Sequence, residues 1–177
     1  MHGLINKIDK SLIEENSENL IYNIKKIKEN KLELVEKHEL FKFSFCLWYI
    51  MAEWGRISND LEDYFDKIEY LFIKSYETAN NKYSNDEDFI WLFGYMLDVF
   101  PEHFQKVSID YLETKERGVR MICSISQKYP LAMVLSGEYE NDVDIIKIAK
   151  LHLNNLFGKN TFISQYFCNI LDMNCVI

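Results

Sequence analysis

Residues 60–79 read DLEDYFDKIEYLFIKSYETA, and this stretch predicts an amphipathic helix. When successive residues are placed 100° apart, nine of them fall within one arc of about 140°. Those nine are Leu61, Tyr64, Phe65, Ile68, Leu71, Phe72, Ser75, Tyr76 and Ala79. An apolar stripe of this width is typical of a helix that packs against a core on one side.

The opposite face of this helix is acidic, and it is our candidate partner-binding surface. Its members are Glu62, Asp66, Glu69, Tyr70, Ile73 and Glu77, with Asp60 and Asp63 towards its edge. One interpretation is a solvated outer face on which two isolated apolar residues are unremarkable. The other is an interface in which Tyr70 and Ile73 are apolar anchors ringed by carboxylates. Both interpretations stay open at this point.

The net charge of −8 is concentrated in one part of the chain. Residues 59–102 carry eleven Asp or Glu and three Lys, whereas residues 1–58 carry nine of each sign and residues 103–177 carry eight of each. A localised charge produces a field that attracts a basic partner and repels an acidic one. The sequence therefore favours a protein that binds a basic protein partner, and it disfavours direct binding to nucleic acid phosphates.

Composition favours an all-α fold. The chain has 177 residues, 48% of them hydrophobic, but only two Pro and six Gly, which is few for a protein rich in hairpin turns. No linker rich in Pro, Gly or Ser divides it. We therefore expect one domain over residues 1–177, built from about seven helices packed as antiparallel hairpins.

Capping residues and breakers predict where the helices begin and end. Ser17, Asn59 with Glu62, and Ser84 with Glu87 have the spacing of N-caps, Gly55 that of a C-cap, and Pro101 ends a helix. The predicted helical segments are 4–14, 17–27, 32–54, 60–79, 89–100, 108–128, 142–157 and 161–171. The segment around Gly94 is apolar on most of its circumference. We expect Trp91, Phe93, Tyr95 and Met96 to be largely buried and Gly94 to mark a close helix–helix approach.

Catalytic and metal-binding patterns are sparse. The four histidines have no HExxH-type spacing, and no glycine loop of a nucleotide-binding protein is present. We therefore expect no enzyme activity, no metal and no cofactor, and we treat an enzyme using a Cys–His pair as a remote alternative. The chain opens without a signal peptide, and its uncharged runs are too short to span a bilayer, so we expect a cytoplasmic protein with no membrane partner.

A helical-repeat pattern supplies the second functional interpretation. Gly118, Ile122, Ile125 and Pro130 fall at the small, bulky, small and proline positions of a tetratricopeptide-like second helix, although position 125 should be small. The preceding helix lacks the matching Trp/Leu/Gly pattern. The alternative function is thus a tetratricopeptide-like adaptor or scaffold that binds a peptide or protein.

A family resemblance agrees with the acidic, partner-binding interpretation. The stretch WLFGYM at 91–96, then Phe100-Pro101, Phe104, Lys128-Tyr129-Pro130, Phe157-Gly158, Gln165-Tyr166-Phe167 and Ile170-Leu171, resembles a family of bacterial immunity proteins. These proteins accompany contact-dependent growth inhibition and other polymorphic toxins. The resemblance covers about residues 48–171, and its motifs are packing motifs. It implies an all-helical cytoplasmic protein that neutralises the C-terminal domain of a cognate toxin, in many cases a nuclease, and it identifies no contact residue.

The cysteine pattern generates a first testable prediction. Cys46, Cys123, Cys168 and Cys175 share no CxxC spacing and lie in apolar stretches, so we expect buried, reduced thiols. Titration of freshly prepared protein under denaturing, non-reducing conditions should count four free thiols. A count of two or fewer would overturn the assignment to a reducing compartment.

Overall fold

The protein is all-α, as predicted. A computed structural model describes residues 1–107, 110–137, 139 and 142–173, with all side chains except those of residues 29, 30, 54 and 55. Within these residues there is no strand. The nine α-helices of the described part are α1 His2–Ile13, α2 Ser17–Lys25, α3 Lys37–Ile57, α4 Phe65–Tyr83, α5 Glu87–Val99, α6 Tyr111–Ile125, α7 Pro130–Leu135, α8 Val143–Phe157 and α9 Phe162–Met173. Short 3-10 helices cover Glu29–Leu34, Asn59–Tyr64 and Pro101–Phe104.

The chain divides into two compact units, Met1–Tyr83 and Ser84–Ile177. Each unit encloses one helix that is apolar around most of its circumference. One domain over residues 1–177 stays a prediction.

The first unit is built around α3. Eight residues of α3 have no exposed surface: Leu40, Phe41, Phe43, Phe45, Cys46, Leu47, Trp48 and Ile50. Helix α3 packs against α1, α4 and the 3-10 helix Asn59–Tyr64. The Ser44 hydroxyl donates to the Ser75 oxygen, 2.9 Å away, and so joins α3 to α4 within this core, while the Ser75 hydroxyl donates to the Phe72 carbonyl of its own helix. Helix α3 is thus buried on nearly every side over residues 40–50.

The second unit is built around α5. Trp91, Phe93 and Met96 are fully buried, which confirms their predicted place in the core. Tyr95 is only half-buried, and its hydroxyl lies 2.8 Å from the Tyr166 hydroxyl. The Trp91 ring contacts aromatic rings from three other segments: Tyr129 at 6.5 Å, Phe157 at 6.4 Å and Phe167 at 5.0 Å between centroids.

Gly94 marks a close approach between α5 and α6, as predicted. These helices run antiparallel, and Gly94 lies opposite Gly118. A Cβ on Gly118 would lie 2.6 Å from the Gly94 carbonyl oxygen and 2.7 Å from the Asp98 backbone nitrogen. Both contacts are to backbone, which cannot move aside as a flexible side chain can. Only glycine, which has no Cβ, fits at the point where α5 and α6 cross.

Several predicted helix ends are wrong by one or two residues. The caps whose side chains accept a backbone N–H are Asn16, Ser58 and Asp86, in place of the predicted Ser17, Asn59 and Ser84. In each case a second capping-type residue lies within two positions, and the backbone that enters the helix selects between them. Helix α3 continues through Gly55 to Ile57. The six-residue α7 was not predicted, because it is too short to show a helical period.

The predicted helix over residues 60–79 is in fact two elements. Residues Asn59–Tyr64 form a 3-10 helix, and α4 begins at Phe65. A 3-10 helix turns 120° per residue, so the 100° placement does not hold for Leu61 and Tyr64. Leu61 is nevertheless buried, whereas Tyr64 and Phe65 are half-buried at the edge of the predicted stripe.

The glycine crossing generates a stability prediction. Gly118→Ala should lower the free energy of unfolding by about 1–3 kcal/mol, the range typical of overpacking. Gly94→Ala should cost less, because its Cβ would meet Ile122 Cγ1 at 3.0 Å and the Gly118 oxygen at 3.1 Å. Gly3→Ala in α1 is the matched control, because a Cβ there meets nothing within 4 Å. Urea unfolding measures all three variants, and equal stability of Gly118→Ala and Gly3→Ala would contradict the close approach.

Candidate partner-binding surface

The acidic surface consists of Asp60, Glu62, Asp63 and Asp66 together with Tyr70. All four carboxylates are exposed, and they form no ion pair within the described part of the chain. Ser58 begins the 3-10 helix by accepting a hydrogen bond from the Asp60 backbone N–H at 3.2 Å. The surface thus covers the 3-10 helix Asn59–Tyr64 and the first turns of α4, where the helix dipole favours negative charge.

Three of the six predicted site residues belong to this surface. Glu62 and Asp66 are exposed, and Tyr70 keeps 45% of its surface accessible one turn after Asp66. Tyr70 is therefore placed as an exposed aromatic side chain beside carboxylates.

The predicted anchor Ile73 is wrong as a surface residue. Ile73 is 8% exposed, and Thr78, also outside the predicted core stripe, is 7% exposed. A helical wheel gives the angle of a residue but not how many neighbours pack around that level of the helix. In the middle of α4, burial extends past the predicted arc and includes Ile73.

The two remaining predicted residues, Glu69 and Glu77, contribute less to the acidic surface. The Glu77 carboxylate pairs with Lys74, whose Nζ lies 2.7 Å from Oε2. Glu69 is half-buried. The exposed charge is therefore displaced towards the N-terminal end of the predicted surface.

Acidic residues early in the second unit are engaged within that unit. Asp86 caps α5, accepting from the Asp88 N–H at 2.9 Å, and Glu87 pairs with Lys128 at 2.6 Å. Asp86 thus takes the capping role that the sequence analysis assigned to Ser84. These acidic side chains therefore make local contacts within the second unit and do not form an open acidic surface.

Asp88 belongs to a buried polar cluster that the sequence did not predict. The Tyr129 hydroxyl donates to Asp88 Oδ1, and His152 Nε2 lies 2.7 Å from the same hydroxyl and 3.8 Å from Oδ1. Because the Tyr129 hydroxyl donates a hydrogen bond to Asp88, its oxygen accepts a hydrogen bond from His152 Nε2–H. Burial, followed by the hydrogen bond to Asp88 and its charge, raises the pKa of Tyr129 well above its usual value.

This cluster connects three separate elements and has no local sequence pattern. Asp88 lies in the first turn of α5, Tyr129 directly before α7, and His152 in α8. The partners are 41 and 23 residues apart, so no short-range spacing could reveal them. The hydrogen bond from the Tyr129 hydroxyl to the buried Asp88 carboxylate stabilises the second unit.

No group of three or more His, Cys, Asp or Glu among the described residues is placed to hold a metal ion. Cys46 is buried, and burial raises the pKa of its thiol, but Cys123 is exposed on α6, which corrects its expected apolar surroundings. Cys175 lies outside the described residues. Among the described helices, none combines the length and the apolar character needed to cross a bilayer.

Removing the Tyr129 hydroxyl should destabilise the protein. Tyr129→Phe leaves the buried Asp88 carboxylate without its donor, which costs about 1–3 kcal/mol. Because the pKa of Tyr129 is raised on folding, its contribution is fully present below the ordinary tyrosine pKa of about 10 and is lost as the pH rises above it. The unfolding free energy of the variant should therefore fall less steeply between about pH 10 and 12 than that of the wild type.

Chemical denaturation from pH 7 to 12 measures both effects. Tyr111→Phe is the control, because Tyr111 is exposed on α6 in the same unit. Identical stability of Tyr129→Phe and Tyr111→Phe at pH 7 would show that the cluster contributes nothing.

Comparison with family models, with curated proteins and with solved structures finds no match for this chain.

Proposed function

We propose that this protein is an immunity protein that binds and neutralises the C-terminal domain of a cognate toxin. The observation that carries the proposal is the acidic surface, whose four exposed carboxylates form no ion pair with any other described residue and which also includes the exposed Tyr70. The resemblance of the α5 and α9 packing motifs to immunity proteins supports the same function. The proposal includes a cytoplasmic location, no catalytic activity and no cofactor.

The charge of the surface specifies the chemistry of the partner. A nuclease presents Lys and Arg to phosphates, so carboxylates complement its substrate cleft. Such complementarity speeds association and discriminates against acidic partners. A basic nuclease domain is accordingly the toxin class we propose, and neither nucleic acid nor membrane is a direct partner.

A tetratricopeptide-like adaptor is the alternative function. The close antiparallel packing of α5 and α6 at Gly94 and Gly118, with Ile122 and Ile125 buried, favours a repeat-like hairpin. A solenoid needs at least three such units. An adaptor would bind short peptides in isolation, whereas an immunity protein requires the folded toxin domain, so the two are distinguished by the form of the ligand.

Removing charge from the surface should slow binding to the toxin. We expect the triple variant Glu62→Gln, Asp63→Asn, Asp66→Asn to associate more slowly with the toxin domain encoded by the neighbouring gene, with weaker salt dependence of the rate. Stopped-flow kinetics over a range of salt concentrations measures this. The control triple Glu18→Gln, Glu102→Gln, Glu113→Gln changes three exposed acids elsewhere by the same charge. Equal slowing by both triples would assign the effect to net charge.

Tyr70→Ala should act on dissociation. A central aromatic anchor contributes burial rather than steering, and truncating a true hot spot commonly costs ~2 kcal/mol or more of binding free energy. Thermal melts should move little, because exposed substitutions usually stay within about 0.5 kcal/mol. Unchanged kinetics for both Tyr70→Ala and the acidic triple would exclude this surface. Failure of the two proteins to co-purify when co-expressed would exclude the toxin proposal itself.

A further inference from the structure

A groove of about 260 Å³ lies between α1 and α2 in the first unit. Helix α1 contributes Lys7, Lys10 and Glu14 to its lining, and α2 contributes Asn19, Tyr22 and Asn23. None of these residues belongs to the acidic surface. The volume is below the roughly 300–1,000 Å³ of drug-sized ligand sites, so the groove suits one small functional group better than an extended ligand.

Positive charge exceeds negative charge at this groove. The Glu14 carboxylate compensates Lys10, because its Oε1 lies 3.4 Å from Lys10 Nζ. Lys26 donates to the Tyr22 hydroxyl oxygen, and its Nζ lies 3.8 Å from the centre of the Tyr22 ring. Neither Lys7 nor Lys26 forms an ion pair with another residue that the structure describes. Two ammonium groups, one from each helix, are therefore left uncompensated beside the groove.

The Tyr22 hydroxyl reflects the positive potential produced by these two ammonium groups. The hydrogen bond from Lys26, followed by the charge of Lys26, lowers the pKa of Tyr22 below its usual value, and the charge of Lys7 acts in the same direction. Both lysines thus favour negative charge at the same oxygen. Because Tyr22 is 56% exposed, an anion from solvent can approach that oxygen.

The groove also offers hydrogen-bond donors to an anion. The Tyr22 oxygen accepts from Lys26, so its own proton is left to donate to a ligand. Asn23, which is 5% exposed, uses one hydrogen of its amide nitrogen for the Asn19 carbonyl oxygen at 2.7 Å. The same nitrogen carries a second hydrogen, and the Lys7 ammonium carries three.

We propose that this groove binds the dianionic phosphate group of a small phosphate monoester. The ammonium groups of Lys7 and Lys26 match the two negative charges of the phosphate, which lysine binds as a point charge. The Tyr22 hydroxyl and the Asn23 amide donate to the phosphate oxygens.

A nucleic acid backbone matches the groove less well than a monoester. Each phosphodiester carries a single negative charge, so it leaves one of the two ammonium groups uncompensated. Neighbouring phosphates of a polyanion would also approach Glu15 and Glu18, which are exposed at the turn between α1 and α2. The absence of a nucleic acid partner therefore remains part of the proposed function.

The phosphate site and the toxin-binding proposal stand on different residues. The groove requires Lys7, Lys26 and Tyr22, whereas the acidic surface requires the carboxylates of residues 60–66 and Tyr70. Either can fail while the other holds.

The probe is methyl phosphate, and dimethyl phosphate is the diester control. At about pH 8 the monoester is a dianion, because its second pKa is about 6, whereas the diester is a monoanion. In ¹H–¹⁵N NMR titrations of the full chain at constant ionic strength, methyl phosphate should cause saturable shifts at the amides of Lys7, Tyr22 and Asn23. Dimethyl phosphate should cause no saturable shift there. Equal responses to both probes, or no saturable response to methyl phosphate, would overturn the proposal.

Charge-removing variants test the two lysines. Lys7→Gln and Lys26→Gln should each weaken methyl phosphate binding about tenfold, the loss expected for one charge-assisted contact. Tyr22→Phe should weaken it severalfold by removing one donor. Lys28→Gln is the matched control, because Lys28 is an exposed lysine of the same unit outside the groove lining, and it should bind as the wild type does.

A change in the opposite direction separates binding from a merely structural role. Glu14→Gln should strengthen methyl phosphate binding severalfold, because it releases the Lys10 ammonium from its ion pair. Glu53→Gln is the matched control, since it releases Arg56 from a similar pair on α3, outside the groove. Circular dichroism should show all of these variants folded, because exposed substitutions usually change stability little. Unchanged affinity in both Lys7→Gln and Glu14→Gln would overturn the proposal.

Discussion

Each unit of this protein depends on one constraint, which is that its apolar central helix has to be enclosed by other helices. Helix α3 has no exposed surface over most of residues 40–50, and α5 is buried on nearly every side around Trp91. A helix that is apolar on all sides is stable in water only when other helices surround it. The amphipathic helices around them supply that cover with their apolar stripes and keep their charged faces outside.

Enclosure also decides which polar groups have to be paired. Lys42 on α3 and Asp88 on α5 are drawn into the interior with their helices, and each is satisfied by partners from another element. Burying a charge without such partners is costly. The Asp88–Tyr129–His152 cluster is therefore best understood as a consequence of packing α5.

The proposed functions use the charge that packing leaves outside. Carboxylates at residues 60–66 lie at the start of a helix, where they cost little and remain unpaired within the described chain. Those of the second unit act as a cap at Asp86 and an ion pair at Glu87. The four exposed carboxylates Asp60, Glu62, Asp63 and Asp66 are therefore the part of the acidic excess that stays exposed on the first unit, and exposed negative charge is what steering a basic partner requires.

By itself, the sequence determined the all-α class, the burial around Trp91, the Gly94 contact and the acidic character of Glu62 and Asp66. These follow from periodicity, composition and residue size, which act within a turn or two of helix. Only the tertiary structure decided that Ile73 is buried, that residues 59–64 form a 3-10 turn, and that the Tyr129 cluster exists. Each of those depends on which distant segments pack together, and helical spacing carries no information about partners tens of residues away.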